Sequence, residues 1–130
     1  MRQAFIIKGR LGSLNDYILE CRKSPFCGNN FKHKQQEIVI KYIQESNLER
    51  VVDYPLKVVF SFYEKNHKRD IDNISSWAHK SVLDALVGSG ILENDGWKQI
   101  VSIQDNFFVD KEDPRIEITL ETFGGGENGQ

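Results

Sequence analysis

Alternating apolar and polar positions mark four segments of this chain. Within residues 56–63 every second side chain is apolar, and shorter runs with β-forming residues occupy 2–8, 99–108 and 115–122. A period of two is typical of a half-buried strand. The sequence therefore predicts four strands, the last two joined by a polar turn at residues 110–114.

The period changes to that of a helix after residue 73, where apolar residues return every three or four positions until Gly88-Ser89-Gly90. This pattern predicts a helix with Asn73 as its N-cap. Ser13 is predicted to cap a shorter helix near the start of the chain. A further helix is predicted from about residue 32 to 46, after a break at residues 23–30.

The chain has 130 residues, and residues 1–123 are predicted to form one domain. The glycine-rich segment 124–130 offers little to bury and is expected to be disordered. No apolar run approaches the length that crosses a membrane, so we expect a cytoplasmic protein. In such a compartment Cys21 and Cys27 are predicted to be free thiols in or near the core.

Charge is distributed unevenly along the chain. The net charge is −2, but residues 1–80 carry 14 basic and 9 acidic side chains, whereas residues 81–130 carry 3 and 10. Phosphate binding responds to local clusters of cations more than to net charge. A basic face for a nucleic acid is therefore compatible with this composition.

Asp70 and Asp72 follow the central predicted strand. If both lie on extended backbone, the pleat points their carboxylates to one face, where they suit a hard cation such as Mg²⁺. The turn at residues 91–96 is expected to bring Asp95 back beside them. The alternative is that one aspartate caps the helix, the other is solvated, and Asp95 is a turn residue.

These residues form part of a longer pattern. The order Arg69-Asp70-Ile71-Asp72-Asn73, Lys80, Asp84-Ala85-Leu86, Gly90 and Asp95 resembles the signature of the RusA family of Holliday-junction resolvases, commonly encoded by phages and prophages. Weaker likeness extends over most of the chain. The resemblance implies a small α+β homodimer with a mixed sheet of about four strands packed on helices. It also implies symmetric cleavage of two strands of a four-way DNA junction, with Mg²⁺ or Mn²⁺, in recombination and repair.

The resemblance implies roles for individual residues as well. Asp70, Asp72 and Asp95 match the metal-binding catalytic aspartates, and Lys80 matches the catalytic lysine. Lys80 has a structural alternative, a surface ion pair with Asp84 four residues further along the helix. Asp84 is expected to orient Lys80, or to hold a metal-binding residue in position without contacting the metal itself.

Cations are needed beside carboxylates that repel phosphate. The residues predicted to contact DNA lie near the acidic motif or in the basic part of the chain: Lys68, Arg69, Lys32, Lys34 and Asn15. The alternative for each basic cluster is a solvated face. Asn73 is expected to support the acidic pair.

Two other functions stay open. The same carboxylates would serve a metal-dependent nuclease of other branched DNA or of RNA, and a related fold would serve a junction-binding protein that does not cut. Among the remaining side chains, Trp77 and Trp97 are predicted to be core or dimer contacts. His79 is predicted to be exposed.

Overall fold

The computed structural model describes residues 1–124 and contains three helices and four strands in that part of the chain. In order, these are β1 (Arg2–Lys8), α1 (Leu14–Lys23), α2 (Pro25–Glu45), β2 (Leu56–Glu64), α3 (Ile71–Gly88), β3 (Ile100–Val109) and β4 (Arg115–Thr122). The predicted single α+β domain is confirmed. Disorder was predicted for residues 124–130, and 125–130 of these lie outside the described residues. None of the described helices is long and apolar enough to cross a bilayer.

The strands form one mixed sheet in the order β1-β4-β2-β3. β4 runs antiparallel to both β1 and β2, whereas β2 and β3 are parallel. The chain needs a crossover to connect two parallel strands, and α3 provides it. In this order β3 forms one edge of the sheet, although it precedes β4 directly in the chain.

One face of the sheet is buried beneath the helices. The inward side chains of β2 alternate strictly with partly exposed ones, so Phe60 and Phe62 lie in the core. On the other face, Tyr63 stacks on Phe108 with ring centroids 4.8 Å apart, and the Arg115 guanidinium lies 3.8 Å from the Tyr63 centroid. The predicted half-buried strand at residues 56–63 is confirmed.

Trp77 joins the three helices. It is buried, stacks on Tyr17 of α1 at 4.8 Å and contacts Phe31 of α2 at 5.5 Å. Its indole N–H donates to Gln35 Oε1 at 3.3 Å, which leaves no buried donor unpaired on the ring. The prediction that Trp77 is a core residue is confirmed.

The start of α2 differs from the prediction. The helix begins at Pro25 rather than near residue 32, and Ser24 caps it by accepting a hydrogen bond from the Cys27 N–H at 3.0 Å. Proline is tolerated in the first turn because its missing N–H has no helical partner there. Gly28 allows close packing on α1, since a Cβ at this position would lie 2.6 Å from Cys21 Sγ. The break between the two helices, predicted at residues 23–30, therefore consists of one residue, Ser24.

The remaining predictions on the N-terminal part have mixed outcomes. Ser13 caps α1 as predicted, in a reciprocal pair of hydrogen bonds with Asp16. Cys21 and Cys27 are both free thiols. Cys21 is exposed, however, so the prediction that it lies in or near the core is wrong for this residue.

Candidate active site

Asp70 begins α3, and Asp72 lies in the first helical turn. Asp70 is the N-cap, with extended backbone (φ −69°, ψ 138°), whereas Asp72 is already helical. The prediction that both aspartates lie on extended backbone before a helix capped by Asn73 is therefore wrong. Asp and Asn are equally good N-cap residues, so the residue types alone did not identify the cap.

Both carboxylates are available for a ligand. Asp70 and Asp72 are exposed, and the Asp70 side chain makes no capping hydrogen bond. The Asp70 side chain therefore does not cap the helix, contrary to the alternative that the sequence left open. The partial positive charge of the helix N-terminus favours two carboxylates at this position. Asn73, the next residue, is half-buried.

Arg69, directly before Asp70, is held by a buried carboxylate. Its Nε and Nη2 donate to the two Glu64 oxygens at 3.0 and 2.8 Å, and its Nη1 donates to the Leu11 carbonyl at 2.8 Å. Arg10 lies 3.5 Å from the same carboxylate. Most of the Arg69 donor capacity is thus used inside the protein, and the segment leading to Asp70 is fixed to the end of β2 and to the loop after β1.

Glu64 did not figure in the sequence reasoning, although the pattern contains a signal for it. It has the same parity as Phe60 and Phe62 along β2 and is therefore inward-facing, 6% exposed. A buried carboxylate requires a charged or hydrogen-bonding partner. An acidic residue at a core position of a strand is thus a sign of a nearby basic residue.

A basic groove of about 630 Å³ reaches Arg69, the residue that directly precedes the acidic pair in the chain. Its lining combines the loop after β1, the first turn of α1 and the loop after β2, and comprises Arg10, Leu11, Gly12, Asp16, Lys65, Asn66, Lys68 and Arg69. Lys65 and Lys68 are exposed, and Lys68 is fixed at its backbone N–H, which donates to Asn66 Oδ1 at 3.0 Å. Arg10 and Lys65 are groove cations that the sequence reasoning missed, because only the fold joins the two loops.

Lys80 forms the surface ion pair that the sequence offered as an alternative. Its Nζ lies 3.2 Å from Asp84 Oδ2, and its side chain is 59% exposed. Asp84 also accepts a long hydrogen bond of 3.5 Å from Gln36. At 1.5 Å rise per residue, Lys80 lies about 15 Å along the helix from Asp70. The two side chains are therefore not neighbours within one chain.

Asp95 lies at the opposite end of α3 from the acidic pair. The start of β3 is tied to the start of β2 by the Leu56 N–H, which donates to the Gln99 carbonyl at 2.7 Å. The end of β2, where the Glu64 backbone carbonyl accepts from the Asp110 N–H at 2.8 Å, is the end from which the chain enters α3. The 18 residues of α3 span about 27 Å between these two ends. The expectation that residues 91–96 bring Asp95 back beside Asp70 is wrong, because the parallel pairing of β2 and β3 separates them.

The other predicted DNA contacts lie on the helices. Asn15 is exposed in the first turn of α1, next to the groove residue Asp16. Lys34 is exposed and Lys32 is partly buried on α2. None of the three lines the groove. Their contact with DNA stays a prediction.

His79 is not the exposed residue that was predicted. Its Nε2 lies 2.8 Å from Asp105 Oδ1 of β3, and its ring packs on Phe60 with centroids 4.7 Å apart. It therefore joins α3 to the edge strand.

Asp70 and Asp72 have no third metal-ligating side chain grouped with them in the described part of the chain. Within residues 1–124, no three His, Cys, Asp or Glu side chains are grouped so that they could hold a metal ion. The acidic pair has suitable chemistry, since exposed carboxylate oxygens are the ligands that Mg²⁺ prefers. The third aspartate of the predicted set is at the far end of α3.

The fold and the site define a small α+β domain that presents two exposed carboxylates beside a basic groove, an arrangement suited to binding a phosphate backbone. The sequence model of the family described as Endodeoxyribonuclease RusA matches residues 26–121, which is most of the chain. The chain therefore belongs to this family, and at that level it is a nuclease that resolves DNA junctions. No curated protein sequence gives a significant match.

Proposed function

We propose that the protein is a Mg²⁺-dependent endodeoxyribonuclease that resolves four-way junctions by paired symmetric cuts, and that Mn²⁺ substitutes for Mg²⁺. The observation that supports this most directly is the free carboxylate of Asp70, exposed beside Asp72 at the start of α3 and next to a basic groove. Such a protein acts on cytoplasmic DNA in recombination and repair.

The position of Asp95 supports a homodimer. Asp95 is separated from Asp70 by the length of α3, so a second chain in two-fold arrangement is the simplest source of a third carboxylate. In this proposal each site takes Asp70 and Asp72 from one chain and Asp95 from its partner. A dimer has two such sites related by symmetry, which accounts for paired cuts in a junction that itself has two-fold related strands.

The remaining tasks are the activation of water and the binding of the DNA backbone. Bound Mg²⁺ supplies Lewis-acid activation and lowers the pKa of water. Lys65, Lys68 and Arg10 hold the DNA backbone in the groove, with Arg69 fixing the loop beneath them.

Lys80 neutralises charge on a phosphate that the junction brings to its face of α3. Its pair with Asp84 is exposed and therefore weak enough to be exchanged for a phosphate contact.

Cleavage of a synthetic four-way junction tests this function. The assay compares the junction with linear duplex, fork, flap and RNA substrates, in Mg²⁺, in Mn²⁺ and in chelator. We expect cleavage of the junction alone, at symmetric positions, that stops on metal removal. Preferred cleavage of another substrate would identify a nuclease of different branched nucleic acids, and tight junction binding without cleavage would identify a non-cutting binder.

A further inference from the structure

Phe26 is an exposed aromatic residue in the first turn of α2. Its side chain is 77% exposed, although burial of an aromatic ring is strongly favoured. Single exposed apolar residues are common on protein surfaces, so exposure alone assigns no ligand to Phe26. Its position and its neighbours, however, point to one.

The two long helices run in the same direction. Phe31 of α2 lies 5.5 Å from Trp77 of α3, measured between ring centroids. Further along both helices, the Gln36 side-chain amide donates to Asp84 at 3.5 Å. The contacts thus advance along the two helices together, so α2 and α3 begin at the same end of the molecule.

This arrangement places Phe26 at the level of the acidic pair. Phe26 precedes Phe31 by five residues, which is about 7.5 Å of helix. Asp72 precedes Trp77 by the same number of residues. Because the axes of packed helices are about 8–10 Å apart, DNA held at Asp72 lies within reach of Phe26.

The chain around Phe26 carries only positive charge. Residues 21–36 contain no Asp or Glu and four basic side chains, which are Arg22, Lys23, Lys32 and Lys34. Lys23 forms an exposed ion pair with Glu20 at 2.7 Å, a contact weak enough to be exchanged for a phosphate. A local cluster of cations attracts the phosphates of a nucleic acid.

Hydrogen-bonding side chains share the helical face of Phe26. Asn29, Asn30 and His33 follow it at spacings of three, four and seven residues, and all three are exposed. Residues at these spacings lie on one side of a helix. Amide and imidazole groups donate hydrogen bonds to phosphate oxygens and to base edges. An aromatic ring among such groups suits a nucleic acid better than an apolar protein partner.

We propose that Phe26 stacks on an uncovered base pair at the branch point of a DNA junction, while the cations around it hold the adjacent phosphates. In a linear duplex each base pair is stacked on both sides, so an inserted ring must first separate two of them. Where the arms of an open junction diverge, the terminal base pairs offer a free face. Phe26 therefore favours junctions over linear DNA without reading sequence.

A second copy of the chain is a poorer occupant of this face. A two-fold contact centred on Phe26 would bring the basic segment 21–36 of one chain against the same segment of the other, and like charges repel. The assignment of Phe26 to junction DNA rests on the proposed function and identifies a residue that determines its selectivity.

Binding of the full chain to a four-way junction and to linear duplex tests this role, in chelator so that no strand is cut. Phe26→Ala should weaken junction binding about tenfold, or about 1.4 kcal/mol, which is within the range for one base stacked on an aromatic side chain. Duplex binding should be unchanged. Because Phe26 is exposed, the variant should keep the fold, which circular dichroism verifies.

Two further variants separate stacking from general apolar contact. Phe26→Trp keeps an aromatic ring and should retain the preference for the junction, whereas Phe26→Leu should lose it. Val52→Ala is the matched control, because Val52 is also 77% exposed. The adjacent Val51 N–H donates to the Ile91 carbonyl beyond the last turn of α3, so Val52 lies far from the acidic pair. Val52→Ala should leave both affinities unchanged.

A fluorescent base provides a readout that a purely structural role of Phe26 would not change. The emission of 2-aminopurine depends on its stacking. Placed at the branch point, it should change emission when the wild type binds and should not change with Phe26→Ala. The same base in the middle of an arm should respond equally to both proteins.

The outcomes distinguish the role of Phe26 from the proposed function. A folded Phe26→Ala variant with an unchanged preference for the junction overturns the stacking role, and so does full retention of the preference in Phe26→Leu. A change of oligomeric state in Phe26→Ala, seen by sedimentation, would assign the face to a second copy and overturn it as well. A wild type that prefers junctions through Phe26 but cuts none in Mg²⁺ supports the stacking role and contradicts the proposed function. A wild type with no preference for junctions contradicts both.

Discussion

Arg69 and Glu64 form two parallel hydrogen bonds, Nε to Oε1 at 3.0 Å and Nη2 to Oε2 at 2.8 Å, immediately before the acidic pair. Planar bidentate pairing of this kind fixes the guanidinium in one orientation. Since the Glu64 side chain is 8% exposed and that of Arg69 is 20% exposed, the pair is largely removed from water. The loop that carries Lys68 and Asp70 therefore has a rigid base.

Glu64→Ala should lower the free energy of unfolding by about 3 kcal/mol, because it leaves two arginines near a buried site without their carboxylate. Urea unfolding measures this. Glu64→Gln is the matched control. It keeps the shape of the side chain and one acceptor, so its free energy of unfolding should fall by less. A loss below about 1 kcal/mol in Glu64→Ala would show that the pair does not hold the loop.

Lys68 and Arg69, adjacent in the chain, should respond differently to mutation. Lys68→Ala should reduce the salt dependence of junction binding by about 0.9 in the slope of log K against log salt, the value for one lost phosphate contact. Arg69→Ala should mainly reduce stability, because its donors are used by Glu64 and Leu11. Lys111→Ala, on the exposed turn before β4, is the control for loss of a single charge. An unchanged slope for Lys68→Ala would place the DNA elsewhere.

Subunit mixing should distinguish a shared site from one built within a single chain. Asp70→Asn and Asp95→Asn should each abolish cleavage as homodimers, because Asn keeps the shape but not the charge that holds Mg²⁺. A mixed dimer of the two variants retains one intact shared site. We therefore expect the mixture to nick one strand of the junction without making the paired cut. Continued inactivity after subunit exchange, verified by differential tags, would contradict a site shared between chains.

Lys80→Ala should change the free energy of unfolding by less than about 0.5 kcal/mol, since it breaks only an exposed i,i+4 pair. If Lys80 meets a phosphate in the transition state, as proposed, single-turnover cleavage should fall about 10²–10³-fold. Asp84→Ala removes the same pair and serves as the control. Equal rates in Lys80→Ala and the wild type would end the catalytic assignment.

Asp110 should contribute to the loss of stability in acid. Arg115 donates to its carboxylate at 2.9 Å, as does the Asp113 N–H at 3.2 Å, and these bonds hold the pKa of Asp110 below its usual range. A lowered pKa in the folded state means that the stabilisation is present above the unfolded pKa, about 3.9, and is lost as pH falls through the folded value. Asp110→Asn should therefore flatten the decline of Tm below about pH 4. Glu112→Gln on the same turn is the control, and an equally steep decline in Asp110→Asn would refute the assignment.

Local patterns in the sequence predicted the elements of the fold but not all their boundaries. The strict alternation in β2 and the capping residue Ser13 act over a few residues, so both were readable from the sequence. The start of α2 was not, because Pro25 and Gly28 also occur in loops and only the close contact with α1 explains them as helix.

The acidic pair was predictable because Asp70 and Asp72 are close in the chain. The position of Asp95 was not, since it depends on whether β3 pairs parallel or antiparallel with β2, which periodicity does not encode. The groove likewise depends on contact between Arg10 and the loop after β2, which are more than fifty residues apart.

If α3 runs from the acidic pair of one site to the Asp95 of the other, the length of the helix determines the distance between the two cleavage sites. Removing one turn would shorten it by about 5.4 Å. Along DNA, where successive base pairs are 3.4 Å apart, this corresponds to a change of one to two base pairs in the separation of the scissile phosphates. The length of a single crossover helix would thus set where the paired nicks fall relative to the branch point.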